Sequence, residues 1–220
     1  MNLDHQLTQA AQTIGLNLPD RQKFQLLTLL EQLLKWNKSY NLTAIKDPAQ
    51  ALTHHVLDSL SVVPFLIQQL NNKKRSTRCI QLIDVGTGAG FPGLPIAIMC
   101  PQIEVSLLDS NAKKIRFIQQ VAHQIGLKQF NAIHSRVQEH TSNQYDWVIS
   151  RAFASTSDML KMTQHLVVEQ GSWLAMKAQD DQLDHLDPSL AVKSEVHPLL
   201  VPGLNAKRCL IELTPIKTTT

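Results

Sequence analysis

The 220-residue chain is 43% hydrophobic and 18% charged, and it carries a net charge of +3. A collagen-like, disordered or coiled-coil chain would show extreme Gly/Pro content, little apolar material or dense heptads, so those classes are excluded. The length suits one domain plus an attachment, enough to bury a core without disulfide or metal staples.

The first 70 residues read as helices. Leu3, Leu7, Ala10, Ala11 and Ile14 fall on one helical face, and Gly15 supplies a stop. From Asp20 to about Asn37 the spacing predicts a stronger amphipathic helix with Phe24, Leu27, Leu30 and Leu34 on its stripe. Ser39 to Thr43 reads as a polar connection. Asp47-Pro48-Ala49-Gln50 combines an N-cap, a first-turn proline and a capping-box glutamine. It opens a helix through Val56, Leu60 and Val63, which Pro64 is expected to end.

The period changes after a basic stretch at residues 72–78. Residues 79–85 (CIQLIDV) form a short apolar run ending in glycine turns, as a buried parallel strand does. Residues 103–109 (IEVSLLD) form another, with a helix near 93–100 between the two. Ser110 is placed to cap the next helix, which runs to Gly126. Strands follow at 130–134, 147–150 and 172–178, with a helix near 156–167 and a terminal strand pair at about 192–199 and 208–214. This alternation predicts an α/β fold whose mostly parallel sheet is covered on both faces.

The N-terminus MNLDHQLTQAAQ lacks the apolar run of a secretory signal. No apolar stretch approaches the ~20 residues of a bilayer span. A cytoplasmic protein is therefore expected. Cys79, Cys100 and Cys209 are odd in number, far apart and form no C-x-x-C pair, so neither a disulfide framework nor a cysteine zinc site is indicated. His54 and Asp58 lie one helical turn apart, but without a third ligand nearby they read as packing or capping groups and no metal is expected.

Positive charge is concentrated in the middle of the chain. Residues 71–135 carry eight basic and three acidic side chains, whereas the flanking segments are balanced or slightly acidic. Lys73, Lys74, Arg75, Arg78, Lys113, Lys114 and Arg116 are candidate phosphate contacts, with a solvated loop and helix face as the bland alternative.

The most informative stretch is Asp84-Val85-Gly86-Thr87-Gly88-Ala89-Gly90-Phe91-Pro92-Gly93, placed between a strand and a helix. Asp109 ends the next strand 23 residues after Gly86, where it can bond both hydroxyls of a ribose. Dinucleotide sites use G-x-G-x-x-G, and Phe91 stands where the third glycine would be. The pattern present, an acid followed by G-x-G-x-G, resembles the first motif of class I S-adenosylmethionine-dependent methyltransferases. Among acceptors, a pyrimidine carbon needs a thiolate, and no cysteine is expected at the catalytic loop. The loop after the fourth strand, Ile149 to Ser155, has none of the Asn/Asp-Pro-Pro-aromatic character associated with adenine amines.

Asn41-Leu42-Thr43, His55-x-x-Asp58-Ser59-Leu60, IDVGTGAGFPG, LLDS at 107–110, Lys113-Lys114-x-Arg116-Phe117, Ser135-Arg136-Val137 and Ser150-Arg151-Ala152-Phe153-Ala154 occur in order. Together they resemble the RsmG (GidB) family of small-subunit ribosomal RNA methyltransferases over nearly the whole chain. The resemblance implies a class I S-adenosylmethionine-dependent fold, Rossmann-like with a mostly parallel seven-stranded sheet. It implies an N-terminal helical extension at 1–70 and a methyltransferase domain at 71–220, built as one unit. It further implies transfer of methyl from S-adenosylmethionine to N7 of one guanine of 16S rRNA in the small ribosomal subunit, a base of the 527 type in the 530 loop. No strong self-association stripe remains once the helices are packed, so a monomer is expected.

Cofactor contacts implied by the resemblance fall on Gly86 and Phe91 in the glycine loop, on Val137 and Gln138, and on Arg151; the reading of the glycine turn and of the strand-end acid adds Gly88 and Asp109. A glutamine stands at 138 where that family commonly carries an acid. Arg151 is the one positioning candidate, and a competing reading pairs it with an acid such as Asp84 or Asp109. Phe153 and Tyr40 are candidates for stacking on a flipped base, with ordinary packing as the alternative; Asn41 is either a turn residue or an RNA contact. The rival functions are a nicotinamide-dependent oxidoreductase, a non-enzymatic RNA-binding module and a small-molecule methyltransferase.

Overall fold

The computed structural model describes residues 2–72, 78–141, 144–151, 153, 155–178 and 190–216. Seven strands form one sheet: β1 (Ile80–Val85), β2 (Ile103–Asp109), β3 (Phe130–His134), β4 (Tyr145–Ser150), β5 (Val167–Ala178), β6 (Val192–Leu199) and β7 (Arg208–Pro215). Their spatial order is β3-β2-β1-β4-β5-β7-β6. The first five pair in parallel, and β7 runs antiparallel between β5 and β6. This is the mostly parallel, Rossmann-like α/β sheet the sequence predicts. The order reverses beside β1, whose neighbours are β2 and β4, so the chains leaving β1 and β4 diverge and open a crevice at the strand ends.

Alternating residues of the central strands feed two cores. Leu82, Leu107, Ile149 and Leu174 pack on one side with the N-terminal helices, while Ile83, Leu108, Val148 and Trp173 pack on the other. The first core gathers α1 (Leu3–Thr13), α2 (Asp20–Tyr40), α6 (Gly93–Met99) and α7 (Ala112–Gln124); the second is covered by α8 (Thr156–Thr163). The N-terminal helices are fixed to α6 and α7 by specific polar bonds as well as by packing. Gln25 donates from Nε2 to the Ile125 carbonyl at 2.8 Å, and Gln22 to that of Ile98 at 2.9 Å. Trp36 meets Phe117 edge-on at 5.6 Å.

Three local expectations need correction. The buried face of α2 is Leu26, Leu29, Leu30 and Leu33, whereas Phe24 is 65% exposed. Two apolar stripes lie side by side on that helix, and contact with α1, α6 and α7 selects the one shifted by about one position. The helix opened at Asp47 stops at Leu60 and does not reach Val63; Pro64, which cannot bond the Leu60 carbonyl, sits in the first turn of a new helix, α5 (Val63–Asn72), where its missing N–H costs nothing. The cap of α7 is Asn111, whose side chain accepts from the Lys113 N–H, and not Ser110.

Between α3 (Pro48–Ala51) and α4 (Asp58–Leu60) the chain makes a π-helical turn over Leu52–Leu57. Asp47 caps α3 through the Gln50 N–H, as expected. Among the described residues no helix is long and apolar enough to cross a membrane.

Candidate functional site

β1 delivers Asp84 to the underside of the glycine loop. Its Oδ2 accepts from the Thr87 hydroxyl at 2.6 Å and from the Gly93 N–H at 2.8 Å, so one carboxylate oxygen pins both ends of the loop. Burial pushes the Asp84 carboxyl up to about 6, against the opposing pull of these two bonds. Gly93 is required by close approach: a Cβ there would lie 2.7 Å from a Leu107 methyl and 2.9 Å from Asp84 Oδ2. Gly88 is required by conformation, with φ at +62°, and it faces the next functional group.

That group is Asp109, at the C-terminal end of β2. Its Oδ2 accepts from the Gly88 N–H at 2.9 Å, its Oδ1 from the Asn111 N–H at 2.8 Å, and Lys114 approaches Oδ2 at 3.6 Å. The carboxylate is thus pre-oriented by backbone donors on both sides, with lone pairs left over for hydroxyls. Around it opens a cleft of about 400 Å³ lined by Val85, Gly86, Leu108, Asp109, Val137, Gln138 and Phe153, among others. Apolar walls beside one fixed acid suit a flat base attached to a ribose.

A second cleft, of about 470 Å³, adjoins the first and shares Phe153 with it. Its character is different. Arg151 and Arg208 both pair with Asp58: Arg151 Nη1 donates to Oδ2 at 2.6 Å and Arg208 Nε donates to Oδ1 at 3.1 Å. Arg151 Nη1 also donates to the His54 carbonyl of the π turn at 3.1 Å. Lys177 donates to the Phe153 carbonyl at 2.9 Å. His55 bonds Thr43 at 2.8 Å and packs its ring 5.3 Å from that of Phe91; burial, with Arg151 adding to it, holds its pKa down to about 4. A neutral His55 beside two guanidinium groups is a packing and orienting element.

Of the residues singled out in the sequence, Gly86, Asp109, Val137 and Gln138 therefore line one cleft, and Gly88 bonds its acid. Arg151 lies in the neighbouring cleft, paired with an acid as the competing reading held, though the acid is Asp58 and not Asp84 or Asp109. Phe91 is buried against His55 and lines neither cleft. Gln138 is exposed on a short 3₁₀ turn, Val137–Glu139. Tyr40 packs on Trp36 at 5.0 Å, and Asn41 is the left-handed cap that closes α2.

Of the candidate phosphate contacts, Lys73, Lys74 and Arg75 lie outside the described residues. Arg78 pairs with Asp146 at 2.6 Å and Lys114 with Asp109, while Lys113 and Arg116 are exposed on α7. The loop after β4 carries no cysteine; Cys209, on β7, lines the second cleft, where it is 1% exposed and held in the ladder opposite Lys177.

Residue-by-residue reading of the sequence missed Arg208 and Lys177. Both sit on strands that meet the cleft only through sheet order. The Asp58 pairing was within reach only as part of the quoted His55-x-x-Asp58 motif, which says nothing of its partners.

Comparison with known proteins adds the following. Residues 22–211 match the family described as GidB, rRNA small subunit methyltransferase G. The chain is 46% identical over 216 residues to the ribosomal RNA small subunit methyltransferase G of Hydrogenovibrio crunogenus, covering 97% of this chain and 94% of that one. It is 45% identical over 207 residues to the like-named protein of Methylibium petroleiphilum, covering 93% and 91%. Among solved structures, a variant of MtNAS in complex with S-adenosylmethionine superposes with a TM-score of 0.53 at 12% identity, over 85% of this chain and 74% of that one. The ribosomal protein L11 methylase of Lactobacillus delbrueckii subsp. bulgaricus superposes with a TM-score of 0.52 at 11% identity, over 73% and 77%. At such identities these structures speak to the fold.

Proposed function

The chain belongs to the rRNA small subunit methyltransferase G family and methylates small-subunit ribosomal RNA, and we propose that its acceptor is N7 of one guanine in the 530 loop of 16S rRNA. The methyl donor is S-adenosylmethionine. The residues present fit that group: the cleft beside Gly86 has apolar walls from Val85, Leu108 and Val137, and it has a single carboxylate, Asp109, already oriented by two backbone N–H groups. Gly88, at φ +62°, lets the loop turn so that its N–H meets Asp109. When bound, the cofactor supplies an electrophilic methyl on a sulfonium.

The chain's own contribution is placement. Asp109 would hold the sugar and Val137 and Gln138 would border the base, while Asp84 keeps the glycine loop at its height through Thr87 and Gly93. Guanine N7 carries an in-plane lone pair that is unprotonated at neutral pH, so no general base is required. Rate then comes from in-line placement of two reacting atoms at near-attack distance. A base must be exposed for this, because the A-form major groove is too deep and narrow for a protein to read, and unstacking a loop base costs less than opening a paired one. Arg151, Arg208 and Lys177 give the acceptor cleft the positive charge that a nucleotide with its phosphate needs.

One observation carries this reading: a ribose-type acid cleft and an arginine-lined cleft share Phe153 as a common wall. The test is tritiated methyl transfer to small subunits and to rRNA from a strain lacking the modification, followed by mapping of the label. Label at a guanine whose strand becomes cleavable after borohydride and aniline treatment supports N7. Label on a pyrimidine, or on an exocyclic amine, overturns it.

A further inference from the structure

The cationic wall of the acceptor cleft is built around one buried acid. Asp58 is 4% exposed, yet it holds two guanidinium groups brought from the ends of β4 and β7. Without a carboxylate between them, Arg151 and Arg208 would repel and separate. Each arginine keeps donors in reserve: Arg151 commits Nη1 to Asp58 and to the His54 carbonyl, and Arg208 commits Nε. Asp58 itself follows the π-helical turn, whose widened geometry offers the His54 carbonyl to a side chain from another element.

We propose that Asp58 is a positioning residue for methyl transfer: its carboxylate sets the spacing of the Arg151 and Arg208 guanidinium groups so that their remaining N–H edges converge on the phosphodiester of the target nucleotide. The proposal rests on the function given above. It separates orientation from attraction. The two arginines attract RNA whether or not they are aligned, and Asp58 subtracts one charge from that attraction while fixing the direction of approach.

The test uses the full-length enzyme with unmodified small subunits as substrate. Asp58→Asn preserves volume but removes the charge, leaving an amide that can accept from one guanidinium while its NH₂ confronts the other. The expected result is a kcat lower by about 10-fold with no rise in KM for the subunit, since misplacement of the acceptor slows transfer while the added positive charge favours RNA. Affinity for S-adenosylhomocysteine, read by calorimetry, stays at the wild-type value. Asp58→Glu restores the charge one methylene farther out and recovers part of the lost kcat. An unchanged kcat in Asp58→Asn overturns the proposal. So does a variant in which KM, kcat and S-adenosylhomocysteine binding all deteriorate together, which marks a brace of the fold. Should Asp58→Asn fail to fold, the same split is read from Asp58→Glu, where reduced kcat at constant KM supports the proposal and wild-type kcat overturns it. A wild-type enzyme that transfers no methyl to the subunit overturns the functional reading, and this inference with it.

Discussion

The two clefts that share Phe153 are made by different means. The one at the β1 and β2 ends is assembled from contiguous sequence and relies on backbone donors: Gly88 and Asn111 orient Asp109, and Gly93 with Thr87 orients Asp84. Its neighbour is assembled from segments as far apart as Thr43, Asp58, Arg151, Lys177 and Arg208, and it relies on side-chain charge. A cofactor of fixed shape can be met by a rigid backbone cradle. A nucleotide in a large RNA needs charges whose placement can be tuned residue by residue.

The sharpest contrast is in how the two sides respond to pH. Asp84, with its pKa raised to about 6 by burial, keeps a proton in the folded chain that the unfolded chain gives up nearer 3.8. Its contribution to stability is full below about pH 4 and is lost as pH rises through 6, roughly 3 kcal/mol in all. His55 is held down to about 4 from 6.5, so its contribution is full above about pH 6.5 and is lost as pH falls through 4, again roughly 3 kcal/mol. The two slopes oppose each other across the same window. Urea unfolding of Asp84→Asn from pH 4 to 7 should show stability rising more steeply with pH than in the wild type, and His55→Gln should tilt the curve the other way. Parallel curves would break the contrast.

Next in size is Arg151→Ala, expected to lower kcat for methyl transfer by about 100-fold, with little change in the calorimetric affinity for S-adenosylhomocysteine. Equal losses in both would return Arg151 to a bridging role between the clefts. Asp109→Ala is the mirror experiment. It should weaken S-adenosylhomocysteine by about 30-fold, the loss of charge-assisted bonds to a ribose, while RNA affinity in a filter-binding assay holds. Smallest is Cys209→Ala, which should retain methyl transfer, because a thiol locked in the β7 ladder is not a nucleophile; abolished transfer would reopen covalent chemistry at a pyrimidine carbon.

The same contrast explains what the sequence could reveal. The glycine loop and Asp109 were legible because their chemistry is local: a strand, a turn that needs glycine, a helix, and an acid at the next strand end. The sheet was legible for the same reason, and β2 and β3 occupy their expected residues. The arginine-lined cleft was not, because Asp58 and Arg208 are joined only when β7 inserts between β5 and β6, a topological fact that leaves no periodic trace. Helix α2 failed on a finer scale. Leu26, Leu29, Leu30 and Leu33 compete with Phe24, Leu27 and Leu34 for the role of buried face, and only the neighbours packed against them decide. Pro64 misled because the same ring that terminates one helix can begin another.

Phe153 has a consequence for the order of events. Its carbonyl accepts from Lys177 and the residue lines both clefts, so whatever fills one cleft shares a wall with whatever fills the other. Thermodynamic linkage then demands reciprocity: by whatever factor a bound nucleoside alters the grip on RNA, RNA alters the grip on the nucleoside. If a demethylated cofactor and a methylated base loosen one another across this wall, each leaves more readily while the other is still bound, and by the same factor.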